Sequence, residues 1–211
     1  MLTYFRKGGG AGDGAAFSAI QAVRGYWEAL RVDGALPRRD QIDPRGIAQA
    51  LEQVFLIERI APGLARFRLA GMHLNEIMGM DVRGMPLTTL FEPAARDRIT
   101  EALEPVFLGP SVLEAWLEAE RGIGKPALDA RMILLPLMGS GAEPRLALGC
   151  LASFGMVGRT PRRFGVAGLV REPLVAPVAA VPDYCFAETG ISYGSPPPRG
   201  KPNLRLVHSQ G

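Results

Sequence analysis

The sequence predicts an α+β fold: a five-stranded antiparallel sheet with short helices on one face, a helical extension before it and an irregular tail after it. Three observations carry this. Residues 51–87 change from strand-like to helix-like periodicity within one short stretch. Residues 113–154 hold three alternating runs separated by turns containing glycine and proline, and a segment of helical period, residues 92–108, lies between the two regions.

Residues 8–14, GGGAGDG, have the composition of a flexible linker, so residues 1–15 are read as a leader. They are no phosphate cradle, because no strand precedes them and no Gly-Lys-Ser/Thr follows. In residues 16–32, Ile20, Val23, Trp27 and Leu30 step by three, four and three, which gathers them in one stripe of a helix. Gly34 and Pro37 end it. Asp43 before Pro44 offers an N-cap ahead of a proline at the first helical position, predicting a second short helix to about Leu51. Residues 16–51 therefore form the helical extension.

The domain proper is expected over residues 52–157. Residues 54–60 are apolar, β-branched and aromatic, Ala61, Pro62 and Gly63 break the run, and Ala65, Phe67 and Leu69 then alternate with Arg66 and Arg68. This is a hairpin with one wet face. Leu74, Ile77 and Met78 keep helical spacing for a turn or two before Gly79 and Gly84 interrupt it. Glu92 and Pro93 open a longer helix to about Leu108, with Ala95, Ile99, Ala102, Leu103 and Val106 on one face; Pro105 either shortens or kinks it. In the strands that follow, Leu113, Ala115, Leu117 and Ala119 form one inward set, Leu128, Ala130, Met132 and Leu134 another, and Leu146, Leu148, Cys150, Ala152 and Phe154 the last.

The wet face of this sheet gathers Arg66, Arg68, Glu114, Glu118, Asp129 and Arg131, with Trp116 as the odd residue among them. Opposite charges on neighbouring strands can pair there, each pair contributing roughly 0.2–1 kcal/mol. The N-terminal stripe is a fitting cover, either from the same chain or from a dimer partner. Ile20, Val23, Trp27, Leu30 and Trp116 are accordingly the expected interface.

Composition narrows the class. Hydrophobic residues at 47% and charged residues at 21% fit a soluble globular chain, no apolar run approaches the roughly 20 residues of a bilayer span, and the start lacks the apolar segment of a secretory signal. A cytoplasmic protein is expected. Cys150 and Cys185 supply neither a disulfide framework nor a metal-ligand spacing, so reduced thiols are expected. Residues 1–157 hold 17 Lys and Arg against 18 Asp and Glu, while residues 158–211 hold 7 against 3, so the basicity belongs to the tail. That tail also carries 8 of the 18 prolines and reads as irregular and disordered. Its Arg159, Arg162 and Arg163 are read as solubilising; without interleaved aromatics they predict no nucleic-acid partner.

The wording of several segments points further. The pair Tyr26 and Trp27 with Glu28 to Arg31, Pro37 and Arg38 with Ile42 to Pro44, FRLAG at 67–71, GMDVRGMPL at 79–87, ARMILLPL at 130–137 and ALGCLASFG at 147–155 resemble a family of single-domain PAS-like proteins of alphaproteobacteria. The resemblance spans residues 26–155. It implies a PAS fold, with a cavity between the inner sheet face and the helices, and a role in bacterial signalling.

On that fold, Phe67, His73, Leu74, Ile77, Met78, Ile99, Met132, Leu134 and Cys150 are the candidate residues for binding a small apolar ligand. The many methionines, Met72, Met78, Met80, Met85, Met132, Met138 and Met156, suit either plain core filling or a cavity that accepts varied apolar shapes. His73, the one histidine of the domain, is a candidate haem ligand, pH switch or general base, against a structural role as a partly buried or capping side chain. Haem is not expected, because PAS domains usually ligate it from the longer helix and residues 92–108 contain no histidine; the Asn-Cys-Arg-Phe stretch of the covalently reacting flavin sensors is also missing. No metal site is expected, and the cofactor is unknown. The chain is read as a sensory or regulatory module without its own output domain, acting through a ligand or a partner such as a kinase or second-messenger enzyme. The alternatives are a pure interaction scaffold with a filled core, and a small cavity enzyme using His73 with Glu76 or Asp81.

Overall fold

In the computed structural model, which describes residues 17–139, 141 and 144–174, the alternating segments form one antiparallel sheet. Its strands are β1 (Val54–Ala61), β2 (Leu64–Ala70), β3 (Ser111–Ala119), β4 (Leu128–Met138), β5 (Pro144–Gly155) and β6 (Phe164–Pro173). They lie side by side in the order β2-β1-β5-β4-β3-β6, and every neighbouring pair is antiparallel. Before the sheet come helix α1 (Ser18–Ala29) and a 3-10 segment (Pro44–Gln53); between β2 and β3 come α2 (Met72–Met78), a 3-10 turn (Leu87–Leu90) and α3 (Pro93–Leu108). As the sequence suggested, the Asp43 carboxylate caps the 3-10 segment by accepting from the Arg45 N–H at 2.9 Å. Pro105 stays inside α3, which runs on to Leu108.

Six strands stand where five were expected. The sixth, β6, pairs with β3 along its whole length and is cut from residues assigned to the disordered tail. It escaped notice because an edge strand with little of its surface buried needs no strict apolar alternation. The rest of the tail, from residue 175, lies outside the described residues, as does the leader of residues 1–15.

The sheet is covered on both sides, and this decides where each side chain points. On the inner side Phe55, Ile57, Phe67, Met132, Leu134 and Leu151 pack with Leu74, Ile77, Ile99 and Phe107 from the helices. On the outer side Leu56, Ile133, Leu135, Leu148 and Cys150 pack with Ile20, Val23, Trp27 and Ile47. The alternation in β3 and β4 was assigned to the correct faces. In β5 it was inverted: Leu148, Cys150 and Ala152 face outward, and Ala147 and Leu151 face the inner core. Period two says which residues share a face, but residues 147–152 are buried without interruption, so nothing in the pattern marks which face is which.

A β-bulge produces a second departure. Leu56 pairs with Leu69 and Ile57 with Phe67, so Arg68 is an extra residue in β2. The insertion turns Leu69 to the outer side with Leu56, away from the face of Ala65 and Phe67 where plain alternation placed it.

Helix α1 lies on the outer face of its own chain, which answers whether the cover comes in cis. Ile20, Val23 and Trp27 are fully buried, the Trp27 indole N–H donates to the Pro136 carbonyl at 3.0 Å, and Leu30 is half-buried at the helix end. Arg24 on the polar flank donates to Glu114 at 2.8 Å, and Arg131 reaches the other oxygen of that carboxylate at 3.0 Å. Trp116, expected in the interface, is 36% exposed. The Arg131 guanidinium instead stands 5.2 Å from its ring and 5.5 Å from that of Phe17, a cation held between two aromatic faces.

Arg162, read as a solubilising tail residue, is completely buried. Its guanidinium donates to the carbonyls of Glu120 at 3.0 Å, Pro126 at 2.7 Å and Val157, while its own N–H donates to the Ile77 carbonyl at 2.9 Å. The side chain thus joins the β3–β4 connection to the exit of β5, and the backbone N–H of the same residue ties both to the end of α2. Residue type alone gives a buried arginine no distinguishing mark, because arginines of this chain are mostly exposed or half-exposed.

Candidate ligand and interaction sites

The residues expected to line an inner cavity are brought together, with exceptions. Phe67, Leu74, Ile77, Met78, Ile99, Met132 and Leu134 all belong to the inner core, each no more than 2% exposed. They meet there as buried side chains, with the rings of Phe55 and Phe67 edge to face, 5.4 Å between centroids. None of them lines either of the two cavities described below.

Cys150 is the clear misplacement, since it lies on the opposite side of the sheet beside Trp27 and Ile133. Burial pushes its thiol up to about 12. The unfolded thiol titrates near 9, so the folded form keeps this contribution to stability below pH 9 and loses it as the pH rises from 9 towards 12. With Cys185 replaced by serine, Cys150 is expected to stay unreactive towards an aromatic disulfide reagent at pH 8 in the folded protein. It is expected to react fully once denaturant is added. Fast modification of the folded form would place the thiol at the surface.

His73 sits at the start of α2, half-buried against the end of β5. Its Nε2 is 2.9 Å from Ser153 Oγ, and its Nδ1 is 3.7 Å from a carboxylate oxygen of Glu76. Ser153 is the partner that sequence reasoning missed, because the two residues stand 80 positions apart and only the inner-facing register of β5 brings them together. A serine, a histidine and a glutamate in a row invite comparison with a nucleophilic triad. The second distance exceeds hydrogen-bond reach, so Glu76 does not orient the imidazole. Asp81, the other carboxylate considered, pairs with Arg83.

The larger cavity, about 200 Å³, opens on the outer side of the sheet between the 3-10 segment and strands β1, β2, β4 and β5. Ile47 and Leu51 form one wall, and Leu56, Leu69, Leu137 and Leu148 form the other. A second, of about 180 Å³, lies at the start of α3 beside β6. Sequence reasoning found neither, since the outer cavity depends on the bulge at Arg68 and on a face taken to be wet.

An exposed apolar group lies at the far end of the sheet. Ile123, Phe154 and Met156 are 96%, 58% and 74% exposed, and the pairing of Leu128 with Gly155 and of the Arg159 N–H with the Gly124 carbonyl sets the β3–β4 turn beside the exit of β5. No helix among the described residues is long and apolar enough to cross a membrane, and no cluster of three or more His, Cys, Asp or Glu among them could hold a metal ion.

Residues 16–152 match the family model described as PAS domain, nearly the full span of the sheet and of both helical layers. The chain belongs to the PAS domain family. The match begins ahead of α1, so the segment read as an extension lies within the PAS match, while β6 lies beyond it. No curated protein and no solved structure matches the chain. A PAS domain is in general a sensory or regulatory module, and this PAS protein is one in that sense.

Proposed function

We propose that this PAS domain regulates a signalling partner, such as a kinase or a second-messenger enzyme, through protein contact rather than through a ligand held in its inner core. The observation that supports the reading is that Phe67, Ile77, Ile99, Met132 and Leu134 are buried together in one apolar core and line neither described cavity. The exposed group of Ile123, Phe154 and Met156 supports it, since apolar side chains gathered at a surface mark a contact site. Helix α1 covers the outer face in cis, so the contact surface lies at the end of the sheet and not under the helix. His73 and Ser153 act as a tether between α2 and β5 and carry no catalysis. The protein works in the cytoplasm, and its partner supplies the output.

A photoreactive amino acid placed at Met156 of the full chain in its native host tests this. A discrete covalent adduct with a signalling protein is expected, and it should disappear when Ile123→Asp and Phe154→Asp are introduced together. Loss of the adduct with unchanged thermal stability supports the reading. No adduct, or an adduct indifferent to both substitutions, refutes it, as does a stoichiometric small molecule whose removal shifts the methyl signals of Met132 and Leu134.

A further inference from the structure

The outer cavity lies on the opposite side of the sheet from the buried inner core and is of a different character. Its walls are leucine and isoleucine, and Leu51 and Leu69 are about half exposed at its rim, which leaves the apolar interior open to entry. One charged residue lines it, Arg39. Of the neighbouring carboxylates, Asp40 pairs with Arg38 and Asp43 caps the 3-10 segment, while Glu52, beside Leu51, is exposed and does not line the cavity. Among the described residues, the Arg39 guanidinium has no hydrogen-bond or ion-pair partner, although it is only half-exposed.

An apolar pocket with a single unpartnered cation at its margin is complementary to an aliphatic chain ending in one negative charge. Size sets the length. A cavity of about 150 Å³ holds benzene, so one of about 200 Å³ takes roughly eight non-hydrogen atoms. We propose that this cavity is a binding site for a short aliphatic carboxylate, with the chain among Ile47, Leu56, Leu69 and Leu148 and the carboxylate on Arg39. The ligand would bridge the 3-10 segment to β1 and β2, joining the N-terminal part of the chain to the sheet. This goes beyond regulation by protein contact and does not depend on it, because the cavity lies beside the 3-10 segment and the exposed apolar group lies at the β3–β4 turn.

Hexanoate, with eight non-hydrogen atoms, is the probe. It is titrated into the full-length protein and followed by methyl NMR. Saturable shifts are expected at Ile47, Leu56, Leu69 and Leu148, with the methyls of Met132 and Leu134 unmoved. Hexylammonium, of similar length and opposite charge, is expected to bind at least about tenfold more weakly, and Arg39→Gln should weaken hexanoate by about tenfold. Leu69→Trp, at a half-exposed rim position that tolerates a larger ring, should block the cavity and abolish the shifts without unfolding the chain. Unsaturable shifts, equal binding of the cation, an unchanged affinity in Arg39→Gln, or shifts confined to the inner-core methyls would each overturn the proposal.

Discussion

Arg162→Met is expected to lower the unfolding free energy by about 3 kcal/mol, measured by urea denaturation at pH 7. Two effects oppose each other. The buried guanidinium is costly to desolvate, and its Nε finds no partner among the described residues, so an apolar replacement of similar length removes a penalty of about 1–3 kcal/mol. Against that, the carbonyls of Glu120, Pro126 and Val157 lose their donor at once, and each buried acceptor left unpaired costs about 1–3 kcal/mol. The three carbonyls outweigh the single nitrogen. Were the partners side chains that could be exchanged for apolar ones as well, the balance would approach zero, but backbone carbonyls cannot be exchanged. Arg162→Lys should recover only part of the loss, because one ammonium on a flexible stem cannot span the acceptors of a planar fork. Arg159→Met, three positions earlier and exposed, should stay within about 0.5 kcal/mol of the parent. Equal stability of Arg162→Met and the parent would mean that the three connections are held by something other than this side chain.

Trp27→Ala should be of similar or larger effect, about 3–5 kcal/mol. The ring is completely buried between α1 and the outer sheet face, and its indole N–H satisfies the Pro136 carbonyl. Truncation opens a cavity at the C-terminal end of the helix contact. Hydrogen exchange gives the local readout: the amides of α1 should lose protection together, whereas those of β3 and β6 keep theirs. Leu30→Ala, half-buried at the helix end, should cost about 1 kcal/mol by comparison. If the α1 amides exchange at the same rate in Trp27→Ala as in the parent, the helix owes its place to other contacts.

These two residues also show what could be read from the sequence. Trp27 was legible because three other apolar residues share its helical stripe, and a stripe on an otherwise polar helix must be buried somewhere. The hairpin, α3 and the facing of β3 and β4 were legible for the same reason, since Glu114, Glu118, Asp129 and Arg131 mark one face as polar. Cys150 was not, because residues 146–155 around it carry no charge to fix their orientation. Arg162 was not, because its acceptors are backbone carbonyls that leave no trace in residue type. Phe67, Leu74, Ile77, Met78, Ile99, Met132 and Leu134 share one core, while a cavity among them rested on resemblance to a fold and on no residue pattern. His73 was singled out as a lone imidazole, and its partner Ser153 could have been found only by knowing which way β5 faces.

The extra residue at Arg68 gives β2 something like a reading frame. Up to Phe67 the odd positions address the packed interior; beyond the insertion they address the opposite wall, and Leu69 becomes part of the mouth of the outer cavity. A strand that kept Arg68 in the ladder, opposite Leu56, would have the same composition but would set Leu69 opposite Phe55 and Ala70 opposite Val54. A leucine would then be pressed towards the Phe55 ring, and a methyl would stand where the cavity has its rim. A single peptide unit therefore separates two differently furnished versions of the same sheet.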